Sequence, residues 1–136
     1  MIARQWDLQQ AIFARLSAAL AGQGVGGADV AVFDHIPQDP DRLHVRIDAF
    51  RVVPGGTRAG RTDQHSFSVH VFDDNTGEAT GAGREEIARL LPLVVGALED
   101  WQPFEGATAV QLITIDSAPD AASQGGVCKF QTMIGG

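Results

Sequence analysis

The sequence predicts an α+β domain, with two helices packed on one face of a largely antiparallel sheet of about four strands. Three observations carry that prediction. The segment SFSVHVF alternates, putting Phe67, Val69 and Val71 on one side and Ser66, Ser68 and His70 on the other, the two-residue period of a pleated strand. The segment GREEIARLLPLVVGALEDW spaces Ile87, Leu90, Leu91, Val94, Val95 and Leu98 at steps of three and four, the stripe of an amphipathic helix. The element order is helix, short strand, strand, strand, helix, strand, strand, which lets two helices cover one side of a sheet.

The first helix is expected from Ile2 to about Leu20, with Trp6, Phe13, Leu16 and Leu20 along its stripe and Arg4, Gln5 and Arg15 off it. It stops at the glycine-rich GQGVGG, which cannot continue a helix cheaply. A short apolar segment, VAVFDHIP, is closed by the turn-rich PQDPD. In the next strand, LHVRIDAFRVV, Leu43, Val45, Ile47 and Ala49 stand opposite His44, Arg46 and Asp48. The stretch PGGTRAGRTDQ, residues 54–64, has no apolar period and reads as an exposed, mobile loop. After the central strand and helix, WQPFEGA turns into AVQLITI, and SAPDAASQGG separates that strand from VCKFQTMI. Pro92 and Gly96 both weaken the second helix, and Pro92 should kink it.

The outer side of this sheet reads as incompletely polar. Phe50 and Val52 lie opposite the Leu43–Val45–Ile47 face, Phe72 lies opposite Val69, and Leu112 and Ile113 are adjacent apolar residues in one strand. A loop folded back or a neighbouring subunit would then have to cover part of that side.

Composition narrows the function classes. A chain of 136 residues with 44% hydrophobic content suits a single domain over residues 1–136. No apolar run approaches the roughly 18 residues of a membrane span, and the N-terminus lacks a signal-peptide pattern, so a soluble protein made in the cytoplasm is expected. A net charge of −7, from 10 basic and 17 acidic residues, repels a phosphate backbone and disfavours nucleic-acid binding. One cysteine excludes an internal disulfide.

Catalytic chemistry finds no foothold. The histidines at 35, 44, 65 and 70 show no metal-ligand spacing, and His65 and His70, five apart on one strand, point to opposite faces. The run DDNTGE lacks the chelating acid of a calcium loop and reads as a turn into the helix. Ser66 and Ser68 lie on a regular strand with no nucleophile elbow. Cys128 shares a face with Phe130, the position of a buried small apolar residue. No catalytic residue, metal ligand or cofactor is expected.

The layout resembles a known family. VFDHIPQD follows the form V-[FY]-D-x-[VI]-P-x-D after a leading helix, and two strands, a helix opened by glycine and acidic residues, and two closing strands come after it. This is similar to the tail completion, or tail terminator, proteins of long-tailed bacteriophages and related gene transfer agents, over nearly the whole chain. The resemblance implies a structural virion protein at the head–tail interface, assembled in the host bacterial cytoplasm. It implies a homo-oligomer, usually a hexameric ring, that caps the tail tube protein, stops its polymerisation and joins it to a head connector or adaptor, with DNA passing through the lumen and no membrane involved. Candidate partner-interface residues are Arg51, Arg58, Arg61, Phe50, Val52 and Phe72, since arginines are unusual in an acidic chain and the apolar residues are read onto the uncovered face. The competing reading is a small ligand-binding or enzymatic domain whose pocket uses His44, His65 or His70.

Overall fold

The computed structural model describes residues 4–24, 27, 29–33, 43–57, 60–73, 82–119 and 124–135. Its elements are α1 (Arg4–Ala19), β1 (Ala31–Phe33), β2 (Leu43–Val53), β3 (Gly56–Thr57), β4 (Gly60–Asp73), α2 (Ala82–Leu98), β5 (Gln111–Pro119) and β6 (Gln124–Gly135). The main sheet runs β1-β2-β4-β6-β5, with β1–β2 parallel and every other neighbour antiparallel. Five strands thus stand where about four were expected. The short segment at Ala31–Phe33 pairs with β2 and widens the sheet.

Both helices lie on one face of this sheet, α1 over β1 and α2 over β4, β6 and β5. Val45, Ile47, Phe67, Val69, Val71, Cys128, Phe130 and Ile134 supply the sheet side of the core. Ile87, Leu90, Leu91, Val94 and Leu98 of α2 are buried as their spacing demands, and Val95 packs at the margin. Pro92 sits on the exposed side of α2, which continues as a helix from Ala82 to Leu98. The contact between α2 and β6 is tight. A Cβ on Gly126 would stand 2.8 Å from Leu91 Cδ1 and 3.2 Å from Ile87 Cγ2, closer than a packed core tolerates.

The buried stripe of α1 differs from the one read in sequence. Leu8, Ile12, Leu16 and Leu20 are fully buried, four residues apart, whereas Trp6 and Phe13 are exposed. At about 100° per residue these four positions spread over roughly 120° of the helix surface, and Trp6 and Phe13 fall roughly 80–100° from the middle of that arc, at its margin, where the sheet does not cover them.

The segment 54–64 is not one loop. Gly56–Thr57 pairs with Gly60–Arg61, and from Thr62 onward β4 runs beside β6 from Gly135 inward. Its apolar period is masked because the inward residues at this end are Asp63 and His65, both buried. Gly55 approaches the Thr62 carbonyl oxygen so closely that a side chain has no room.

Two bulges re-aim the strands. In β2, Asp48 pairs with Ser68 but Arg51 pairs with Ser66, so one extra residue is inserted and Ala49 takes a left-handed φ of 55°. In β5, Leu112 pairs with Phe130 and Thr114 with Lys129, leaving Ile113 as the extra residue. Each insertion exchanges the faces of every residue beyond it.

Candidate functional site

Those insertions rewrite the outer face of the sheet. Beyond the first bulge Val52 pairs with inward-facing His65, and Phe50 stacks on core residue Phe67 with ring centroids 5.9 Å apart. Phe50 and Val52 therefore belong to the helix side, which corrects their assignment to the uncovered face. Arg51, paired with Ser66, points outward and is exposed. Phe72 does lie on the outer face, paired with His44. Arg58 falls outside the described residues, as do His35 and most of the DDNTGE run. Arg61 is placed by its backbone in β4, opposite Gly56.

What remains on the outer face is a polar surface with two built regions. At the β1 end, Phe33, His44, Phe72 and His70 form a continuous run of rings at centroid distances of 5.8, 5.2 and 5.6 Å. The Arg46 guanidinium lies 4.9 Å over the Phe72 ring. Asp48 joins the run to the strand, with Arg46 Nε at 3.0 Å and His70 Nε2 at 2.9 Å. Burial lowers the pKa of His70, and the Asp48 carboxylate opposes that shift. At the other end Gln64 Nε2 donates to Gln131 Oε1 at 2.7 Å, and Gln131 Nε2 donates to Gln111 Oε1 at 3.1 Å. These side chains satisfy one another across β4, β6 and β5, so the face is pre-arranged and largely paired.

The histidines do not converge. His44 and His70 share the outer face, while His65 points into the helix side and is 1% exposed. Both ring nitrogens of His65 lack a hydrogen-bond partner, and burial lowers its pKa, opposed by the charge of nearby Asp63. Such a ring is held neutral by desolvation, with no acid, base or ligand partner aligned to it. Sequence reasoning placed His65 and His70 on opposite faces, but the full burial of His65 had no local signal. Cys128 is likewise buried, its thiol pushed up to about 11, the opposite of a reactive thiolate. Among the described residues no cluster of His, Cys, Asp or Glu could hold a metal ion, and no helix is long and apolar enough to cross a membrane.

Among the described residues the exposed large apolar side chains fall mainly at two edges, with Val53 of β2 besides. Trp6 and Phe13 of α1 are 57% and 42% exposed, and Ile113 and Ile115 of β5 are 48% and 49% exposed. The sequence reading buried Trp6 and Phe13 and passed over Ile115; Ile113 it did place among the apolar residues in need of a cover, without distinguishing the edge strand from an interior one.

A family model described as "Tail completion protein gp17" matches residues 10–135 of the chain. No curated protein sequence matches it. Among solved structures, a chain from the virion of a native gene transfer agent particle is similar with a TM-score of 0.65 and 20% sequence identity, over 94% of this chain and 94% of that one. At that identity the likeness is one of fold.

Proposed function

This chain belongs to the tail completion protein gp17 family, and from that membership we propose that it assembles as a ring, of six copies by the family's usual pattern, that caps a tail tube, ends tube polymerisation and joins tail to head. As a tail completion protein it is a structural part of a tail and not an enzyme. The observation that carries the reading is the family match over residues 10–135. The separation of His65 from His44 and His70 weighs against a pocket that uses all three histidines.

In this reading DNA passes through the lumen without being gripped, which suits a chain of net charge −7. The tail tube protein and a head connector or adaptor are the partners, and assembly takes place in the host bacterial cytoplasm before the particle is complete. Arg51 and Phe72 on the outer face, with Arg61 of β4 and Arg58, are the residues proposed to meet a partner. Particles made without this protein test the reading by electron microscopy. Overlong tubes and tails without heads are expected. Tails of normal length joined to heads would overturn it.

A further inference from the structure

We propose that the two edges of the molecule are the two halves of one head-to-tail contact, in which the Trp6–Phe13 side of α1 in one copy covers the β5 edge of the next at Ile113 and Ile115. The proposal rests on the ring reading and adds to it the surfaces that close the ring. Among the described residues five large hydrophobic side chains are exposed, Trp6, Phe13, Val53, Ile113 and Ile115, and four of them form these two pairs.

The pairs lie at opposite ends of the molecule. The side of α1 that faces α2 is marked by Arg15, whose Nε donates to the Ala97 carbonyl at 2.9 Å and whose guanidinium lies over Trp101, and by Arg4 over Phe104. At about 100° per residue, Trp6 and Phe13 both fall on the side of α1 roughly opposite Arg15, away from α2. Because α1 lies over β1 and α2 over β4, β6 and β5, the aromatic pair overhangs the β1 end of the sheet. Ile113 and Ile115 lie on the last strand at the other end.

Each pair needs a cover, and the two are unlike. The outer edge of β5 has no strand partner among the described residues, and its first five residues, QLITI, carry no charge and no proline. An apolar edge of that kind pairs indiscriminately unless something blunts it, and a helix laid across it is one established solution. The exposed aromatic side of α1 is such a helix face. Two different complementary patches at opposite ends of one subunit generate a head-to-tail contact, which closes into a ring when the rotation allows. Docking of either pair on its own copy would instead close a dimer and leave the other pair in water. The four side chains together expose on the order of 300–400 Å² of surface, enough for the dry centre of an interface of about 1,600 Å² in total.

Native mass spectrometry of the purified full chain tests this with two double variants, Trp6→Ser with Phe13→Ser, and Ile113→Thr with Ile115→Thr. All four positions are exposed, so melting midpoints near the wild type are expected, and glutamine at the α1 positions serves if serine lowers them. The wild type should form rings, and each variant alone should need about a hundredfold higher concentration to assemble. An equimolar mixture of the two variants retains one intact α1 side and one intact β5 edge, so it should give a one-to-one heterodimer and nothing larger. Rings that persist in both variants would overturn the inference and leave the ring reading standing. Dimers of either variant alone would also overturn it, by revealing a self-docking patch. A wild type that stays monomeric at every concentration would take down the ring reading, and this inference with it.

Discussion

Ala49 is the residue on which the β2 bulge turns, and its φ of 55° is a conformation that L side chains adopt at a cost of roughly 1–2 kcal/mol. Glycine there relieves the strain but adds about 0.5–1 kcal/mol of unfolded-state entropy, so Ala49→Gly should be neutral to slightly stabilising. A β-branched residue has no such relief, and Ala49→Val should lower the denaturant midpoint measurably. Equal midpoints for the glycine and valine variants would mean that the bulge is unstrained. His65 makes a pH prediction. Desolvation holds its folded-state pKa below the ordinary 6.5, so as pH falls the unfolded chain binds the proton first. The stability it permits is complete above about pH 6.5 and is lost on acidification through that value, by at most ~1.4 kcal/mol per pH unit. Calorimetric melting from pH 8 to 5 should show that decline, and His65→Leu should make it shallower, leaving the share that comes from His70, whose pKa burial also lowers.

At the scale of elements, α2 against the sheet is the packing that defines the fold. Leu91 is buried and Val94 fully so, and an aspartate at either would be an unpaired buried carboxylate costing several kcal/mol against a total of about 5–15. Leu91→Asp or Val94→Asp should unfold the domain, and a soluble variant with an unchanged melting midpoint would refute this packing. The same contact is sensitive from the other side. Gly126→Ala forces a methyl to within 2.8 Å of Leu91 Cδ1, so about 1–3 kcal/mol of destabilisation is expected by urea titration. In a Leu91→Ala background Gly126→Ala should cost less than it does in the wild type, a less-than-additive double-mutant cycle, because the clash is with the leucine methyls rather than with backbone.

At the scale of the whole molecule, the acidic chain leaves its outer sheet face polar and largely self-paired, and leaves the exposed large apolar side chains of its described residues mainly at two edges. Contact across the outer face would then be made by charge and aromatic groups rather than by a greasy patch. Replacing Arg51, which is exposed, together with Arg58 and Arg61 by Glu should reduce the number of head-joined tails counted by electron microscopy in a variant that still melts cooperatively. Normal tails in that triple variant, with the protein folded, would remove these arginines from the interface.

The order of elements, the apolar stripe of α2 and the inward face of β4 were legible from the chain alone, because a two-residue or 3.6-residue period is a property of neighbouring residues. The family resemblance rests on that same order. Which face Phe50, Val52 and Leu112 occupy was not legible. That depends on cumulative register, and a single inserted residue opposite Phe67 or between Phe130 and Lys129 turns everything beyond it over. The stripe of α1 was undecided for a related reason: Trp6 and Leu8 are both apolar, and only the position of the sheet and of α2 chooses between them. Tertiary pairing also made strand of residues 60–64, where Asp63 and His65 give no apolar period, and set the bare edge of β5 opposite the aromatic side of α1.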